Sequence, residues 1–189
     1  MSEPIQEKKA NPGPLGLLGF GMTTVLLNLH NTGILELSAV IVAMGLALGG
    51  LAQVIAGVFE FKGGNTFGGT AFIAYGHFWW SLVFIWTDPA KALGIPNADG
   101  RSVGFYLLLW GIFSLFMYIA TLRHNRATQV VFLTLTILFF GLSIGAFSGV
   151  SAVTVVSGWI GIVCGASAIY NAMGQIINGE YGRNVFPLG

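Results

Sequence analysis

Residues 127–179 have the sequence ATQVVFLTLTILFFGLSIGAFSGVSAVTVVSGWIGIVCGASAIYNAMGQIING, and this stretch decides the fold class. It contains no Asp, Glu, Lys or Arg. One helical crossing of a bilayer takes about 20 mostly apolar residues, so the stretch is long enough for two crossings. Ser148, Gly149, Val150 and Ser151 form the predicted turn between them. The sequence therefore predicts an integral membrane protein.

The composition of the whole chain points the same way. Only 8% of the 189 residues are charged, whereas a soluble domain carries about 25%. The net charge of +1 gives no reason to expect a nucleic-acid partner. Cys164 is the only cysteine, which excludes an internal disulfide and a multi-cysteine metal site. The length suits one domain, and its expected surroundings are the lipid bilayer.

Four stretches upstream meet the same length test and also lack the four charged residue types. The six predicted helices are 12–32, 38–59, 66–86, 103–122, 127–147 and 151–177. The predicted fold class is all-α, a polytopic membrane protein with a six-transmembrane-helix bundle. The membrane domain spans 11–180, and the tails are 1–10 and 181–189.

The distribution of basic residues predicts the orientation. The termini and the second and fourth loops share one side of the membrane, and the other side has only Lys91 and Arg101. The first side carries Lys8, Lys9, Lys62, Arg123, Arg126 and Arg183. Because cytoplasmic loops are enriched in Lys and Arg, both termini are predicted to be cytoplasmic.

The first helix begins with the unusual stretch Asn11-Pro12-Gly13-Pro14. Asn11 is the predicted N-cap, and Pro12 suits the first helical position. A helix start carries unpaired N–H groups and partial positive charge, so within the membrane it can attract an anion. The alternative is an ordinary capped helix.

Three segments together resemble one known family. They are NPGPLGLLGFGMTTVLLNLHNTG at 11–33, GNTFG with TAF at 64–72, and GWIG with CGASAIY at 158–170. They resemble the acetate uptake transporter family, which includes the bacterial succinate–acetate permeases. The resemblance covers nearly the whole chain beyond the first ten residues. Gly13 departs from the family pattern, where Ala is common.

The resemblance implies a function and an assembly. It implies a homo-hexamer with one pathway in each six-helix protomer, in the cytoplasmic (inner) membrane of a prokaryote. The pathway would carry acetate and other small carboxylates, with succinate as a further candidate, and would need no cofactor. The family's narrow apolar constriction maps onto Phe20, Tyr75 and Leu135 of this sequence.

The spacing of these three residues agrees with a common depth. Phe20 and Tyr75 lie nine residues beyond Asn11 and Thr66, and Leu135 lies eight beyond Ala127. At about 1.5 Å per residue, each side chain lies roughly 12–14 Å from its helix start. That depth is near the middle of a hydrocarbon core about 30 Å thick.

Helical periodicity extends the candidate pathway from the constriction in both directions. The candidates combine neutral hydrogen-bonding groups with apolar ones, which suits a small solute that must also leave quickly. They are Asn11, Thr24, Asn31, Gln53, Glu60, Asn65, Thr66, Ala71, Phe72, Thr128 and Ala168. Leu135 and Ala168 are the candidates for setting the size limit. Tyr75 is hypothesised to donate a hydrogen bond to the solute.

Two titratable residues leave alternatives open. His77 lies near mid-membrane, where an ionisable group is a functional candidate, here for a proton-linked step. It is about 200° around the helix from Tyr75, which favours a structural role against another helix or subunit. Glu60 either ends its helix in solvent or lines an inner vestibule beside Lys62 and Asn65.

Other functional classes also remain open. They are a proton-coupled monocarboxylate symporter, a pore for a neutral solute such as ammonia or water, an intramembrane enzyme and a purely structural bundle. The three histidines are isolated in sequence, and no span contains paired carboxylates. We therefore expect no enzymatic activity and no metal site.

Overall fold

The computed structural model describes residues 10–189 and has six long helices with no strand in this range. The helices are α1 Gly13–Asn31, α2 Ala39–Lys62, α3 Thr66–Thr87, α4 Gly100–Thr121, α5 Arg126–Ser148 and α6 Ser151–Tyr181. A short 3₁₀ turn, Pro89–Leu93, lies between α3 and α4. The predicted all-α, six-helix fold is confirmed.

Four of the helices, α2, α4, α5 and α6, are long and apolar enough by length and composition to cross a membrane. Helices α1 and α3, which carry Phe20 and Tyr75, do not meet the same test of length and composition.

The helix ends differ from the predicted ones by up to four residues. Helix α1 starts at Gly13, so its N-cap is Pro12 and not Asn11, although Asn11 Oδ1 still accepts from the Gly13 amide at 3.0 Å. Helix α4 starts three residues earlier than predicted because Asp99 caps it, accepting from the Ser102 amide at 2.7 Å. Helix α6 continues past 177 to Tyr181.

Glycines set the distances between the helices. Helices α1 and α6 meet at Gly21 and Gly165, where a Cβ on either residue would lie 2.7 or 2.6 Å from the other's carbonyl oxygen. Between α5 and α6, a Cβ on Gly141 or Gly145 would instead meet the side-chain hydroxyl of Ser157 or Thr154. Small residues allow helix backbones to approach this closely.

Helix α2 contains a π-helical segment, Gly45–Ala52, in its first half. The indole of Trp79 covers Gly49, since a Cβ there would lie 2.7 Å from the indole Cγ. Single wide turns of this kind are rare and often found at functional sites. Here the wide turn places α2 against the aromatic face of α3.

The segment after α6 folds back onto the bundle. Asn178 holds it, because its Oδ1 accepts from the amides of Val185 and Phe186, each at 2.8 Å. Tyr170 donates its hydroxyl to the Pro187 carbonyl at 2.8 Å, and the Leu188 carbonyl accepts from the Ala127 amide at 2.9 Å. The predicted C-terminal tail is therefore packed against the start of α5.

Candidate transport pathway

A cavity of about 180 Å³ lies at the end of the bundle where α1, α3 and α5 begin. Its mouth is polar, and its far end is apolar. The mouth is lined by Asn11, Glu60, Asn65, His124, Thr128 and Gln175. The deeper walls are formed by Leu17, Phe20, Gln53, Ala71, Phe72, Tyr75, Val131, Phe132 and Leu135. We call this space the inner cavity, and the cavity at the opposite end the outer cavity, according to the orientation predicted from the sequence.

Phe20, Tyr75 and Leu135 meet at the deep end of the inner cavity, and we call them the constriction. They are 6%, 3% and 2% exposed, so no open passage runs between them. The ring centroids of Phe20 and Tyr75 are 6.0 Å apart. The Tyr75 hydroxyl is hydrogen-bonded to the Ser114 hydroxyl on α4 at 2.8 Å. Its hydrogen is available to a solute only when Ser114 is the donor.

A second barrier that the sequence analysis did not identify lies next to the constriction. Phe78 packs edge-on against Phe139 at 5.0 Å and against Trp110 at 5.2 Å between ring centroids. We call Phe78, Trp110 and Phe139 the aromatic layer. Phe78 also stacks on Tyr106 at 5.7 Å.

An outer cavity of about 500 Å³ lies on the far side of the aromatic layer. Phe78 forms part of its wall, together with Leu27, Asn31, Trp86 and Leu142. The helix bundle thus contains two cavities, with the constriction and the aromatic layer between them.

A chain of amide and hydroxyl groups joins three helices at the inner mouth. Asn11 donates to Gln175 at 2.9 Å, and Gln175 donates to Asn171 at 3.0 Å. Asn171 donates to the Thr128 hydroxyl at 3.0 Å, which donates to Asn125 at 2.8 Å. These contacts connect α1, α6 and α5, so the mouth is held in shape by neutral hydrogen bonds.

Glu60 lines the inner cavity, which decides between the two alternatives left by the sequence. It is 7% exposed, and its Oε2 accepts from Asn65 Nδ2 at 2.7 Å. A Cβ on Gly13 would lie 3.2 Å from its Oε1, so the carboxylate faces the starts of both α1 and α3. The partial positive charge of these helix ends favours an acid there. Lys62 does not share the vestibule; it is exposed, 5.5 Å from the centre of the Phe59 ring.

His124 also lines the inner cavity, although it was not among the candidate residues from the sequence. Its ring contacts Phe67 edge-on, with centroids 4.6 Å apart. Gln175 and Phe132 were likewise not identified. The only sequence signal for His124 was its position in a loop on the same side as Glu60.

The structure brings most of the candidate residues together and separates a few. Asn11, Gln53, Glu60, Asn65, Ala71, Phe72 and Thr128 line the inner cavity with the constriction, and Asn31 lines the outer one. Thr24 and Ala168 are buried and line neither cavity. Thr66 is exposed at the start of α3, outside both cavities.

His77 lies away from both cavities. It is exposed on α3, and its Nδ1 is 2.8 Å from the carbonyl oxygen of Ile73. Trp80 packs edge-on against its ring at 5.3 Å. Its side of α3 is therefore opposite to that of Tyr75. Across residues 10–189, no cluster of three His, Cys, Asp or Glu residues is placed to hold a metal ion.

Comparison with known proteins identifies the family. The sequence model that describes the GPR1/FUN34/yaaH family matches residues 1–186 of this chain. The chain belongs to that family. This agrees with the resemblance drawn from its motifs, and the protein is therefore a membrane protein of a transporter family.

Two curated relatives and one solved structure are similar over most of the chain. The succinate-acetate/proton symporter SatP of Escherichia coli K12 is 54% identical over 96% of both chains. The ammonia transport outward protein 2 of Saccharomyces cerevisiae is 38% identical over 89% of this chain and 62% of its own. The solved structure of the bacterial acetate channel SatP superposes with a TM-score of 0.93 at 53% identity, covering 96% of this chain and 100% of that one.

Proposed function

We propose that this protein is a membrane channel or transporter for acetate and related small carboxylates, with succinate as a second substrate. The observation that carries the proposal is the row of inner cavity, constriction and outer cavity within one protomer. A likeness of 54% identity to a succinate-acetate symporter supports the choice of substrate.

The lining of the inner cavity suits a small carboxylate in transit. Apart from Glu60 and His124, its polar side chains are amides and hydroxyls, and no Lys or Arg among residues 10–189 lines it. Neutral donors bind a carboxyl group more weakly than a cation does, so the solute can leave. Phe20, Tyr75 and Leu135 would limit the cross-section, while Tyr75 would also present its hydroxyl to the solute.

The setting of the pathway is also part of the proposal. The excess of basic residues around the termini supports a cytoplasmic location for both ends and an inner-membrane location for the protein. Large apolar side chains are exposed around the protomer, among them Leu109 and Phe116 at 67% each. Lipid covers part of this surface, and neighbouring protomers of a hexamer would cover the rest.

Uptake of labelled acetate into liposomes containing the purified protein tests this function. We expect protein-dependent flux that unlabelled acetate and succinate reduce. The matched pair of variants is Leu135→Trp, which fills the constriction, and Leu109→Trp on the exposed face of α4. We expect the first to abolish flux and the second to retain it. If ammonia reduced the flux of labelled acetate and unlabelled acetate did not, the result would favour a neutral-solute pore. Absence of any flux would contradict transport.

A further inference from the structure

Three buried polar atoms in the described part of the chain have no hydrogen-bond partner: Thr24 Oγ1, Gln53 Oε1 and Trp79 Nε1. The three side chains are 3%, 1% and 2% exposed. Leaving such a group unpaired costs about 1–3 kcal/mol, so buried polar groups nearly always have partners. Three unpaired groups on three different helices are therefore unusual, and they indicate that a partner binds there.

Two of the three lie one helical turn from a constriction residue. Thr24 is four residues beyond Phe20 on α1, and Trp79 is four beyond Tyr75 on α3. Residues four apart share a helix face, and the Phe20 and Tyr75 rings are 6.0 Å apart. Thr24 and Trp79, which line neither cavity, therefore lie beyond the constriction on the same two faces, in the packed layer before the outer cavity.

Gln53 joins this group from α2. Its Nε2 donates to the Gly49 carbonyl at 2.6 Å, and the Trp79 indole packs on the same Gly49. On the other side, a Cβ on Gly19 would lie 3.1 Å from Gln53 Cγ. Gln53 therefore lies between α1 and α3, and it also lines the deep part of the inner cavity.

The hydrogen-bonding roles of the three atoms are fixed or nearly so. The Trp79 indole N–H can only donate. Since Gln53 Nε2 donates to a carbonyl, Gln53 Oε1 is the amide oxygen and can only accept. The Thr24 hydroxyl can do either. The group thus offers at least one donor and one acceptor, with no full charge.

We propose that these three groups bind the neutral, protonated form of the substrate carboxyl group as it crosses the constriction. A carboxylic acid has one O–H donor and a carbonyl acceptor, which match Gln53 Oε1 and Trp79 Nε1. A carboxylate has acceptors only, so its charge would face the lone pairs of Gln53 Oε1 with no hydrogen between them. The proposal rests on the proposed function, because it assumes that a small carboxylic acid is transported.

This arrangement moves a proton without a titrating side chain in the constriction. The acid enters carrying its proton, donates that O–H to Gln53 and releases the proton to water on the other side. One proton then accompanies each substrate molecule, and no net charge crosses the membrane. The position of His77, away from both cavities, is consistent with a step that does not use it.

The pH dependence of exchange tests the proposal. Labelled acetate is exchanged across liposomes at equal pH on both sides, at constant total acetate, with the exchange of protein-free liposomes subtracted. Raising the pH from 6 to 7 lowers the neutral acid about tenfold and leaves the anion nearly unchanged, for an acid with a pKa near 4.3. We expect the rate of protein-dependent exchange to fall about tenfold. We also expect that an imposed potassium diffusion potential does not change this rate.

Near-isosteric variants connect this behaviour to the three groups. Gln53→Met, Trp79→Phe and Thr24→Val each remove one hydrogen-bonding atom, and we expect each to lower exchange about 2- to 10-fold. Gln53→Met should also make the fall with pH shallower, because the acceptor that disfavours the anion is gone. Trp80→Phe is the matched control, since the Trp80 indole donates to the Leu46 carbonyl at 3.1 Å.

The possible outcomes distinguish failure of this proposal from failure of the proposed transport function. Exchange by the wild-type protein that is independent of pH but sensitive to voltage would overturn the neutral-acid proposal and leave carboxylate transport intact. Correctly folded variants that behave like Trp80→Phe would also overturn it, leaving bound water as the partner of the three groups. Absence of any exchange by the wild-type protein would overturn both proposals.

Discussion

The Tyr75 hydroxyl has a protein partner, and this allows two roles to be separated. In Tyr75→Phe, the Ser114 hydroxyl loses its 2.8 Å partner in a fully buried position. We expect the variant to unfold at lower temperature, with a loss of about 1–3 kcal/mol. In the double variant Tyr75→Phe with Ser114→Ala, both polar groups are gone and the stability should largely return. Thermal unfolding in detergent measures both.

Acetate flux through the same double variant then tests the role of the hydroxyl in transport. Restored stability with reduced flux would support donation of a hydrogen bond to the solute. If flux returned together with stability, the hydroxyl would be needed only to hold the ring in place.

Leu135 is expected to set the size limit of the constriction. It is 2% exposed, so Leu135→Ala opens space beside the Tyr75 ring. We expect uptake of a larger acid such as lactate to rise several-fold relative to acetate, at a cost of about 2–5 kcal/mol in stability. Competition between the two acids in the liposome assay measures the ratio. An unchanged ratio in a folded variant would refute the size-limiting role.

At the scale of the helices, the close contact between α1 and α6 leaves no room for a side chain at Gly21 or Gly165. A side chain at Gly165 would meet the Gly21 carbonyl, so Gly165→Val must push the two backbones apart. We expect a loss of about 1–3 kcal/mol or more, visible as a lower unfolding temperature. Gly179→Ala in the same helix is the control, because nothing lies within 4 Å of the added group. It should be neutral or stabilising.

The start of α4 has a pH-dependent cap. The Asp99 carboxylate accepts from the Ser102 amide, and this hydrogen bond lowers the pKa of Asp99 below its usual range. A lowered pKa contributes stability above the unfolded value of about 3.9, and the contribution is lost as the pH falls through the folded value. Asp99→Asn keeps the accepting oxygen but cannot titrate. We therefore expect the unfolding temperatures of the two proteins to converge on acidification; a constant difference would contradict this.

The six helices were predictable because apolar, charge-free runs of about 20 residues are typical of membrane-spanning helices. The constriction was predictable only through family resemblance together with depth arguments. Periodicity along a helix found Gln53 and Glu60 because both lie on one face. It could not find His124, Gln175 or the aromatic layer, since their place in the pathway depends on how neighbouring helices rotate and where a loop folds.

At the scale of the whole molecule, an energy comparison favours a neutral solute at the constriction. Protonating an acid of pKa near 4.3 at pH 7 costs about 3.7 kcal/mol, at about 1.36 kcal/mol per pH unit. Burying a bare carboxylate in an apolar site costs several kcal/mol even after relaxation, unless a cation pairs with it. Among residues 10–189, no Lys or Arg lines the inner or the outer cavity.

The assembly is open to a direct measurement. We expect native mass spectrometry of the detergent-solubilised protein to give six times the protomer mass of 20.0 kDa. A side chain as apolar as Phe116 at 67% exposure needs lipid or another protomer beside it. A predominantly monomeric protein that still transports acetate would show that one protomer is sufficient and that the hexamer is not required.

The π-helical segment Gly45–Ala52 acts as a one-residue insertion in α2. If the same residues were wound as an ordinary α-helix, with none removed, everything that follows would rotate by about 100° relative to the part of α2 before the segment. Gln53 and Glu60 would then both turn away from α1 and α3, although neither had been altered. The direction in which these two side chains point is therefore encoded upstream of them, in a stretch made entirely of Gly, Ala and Leu.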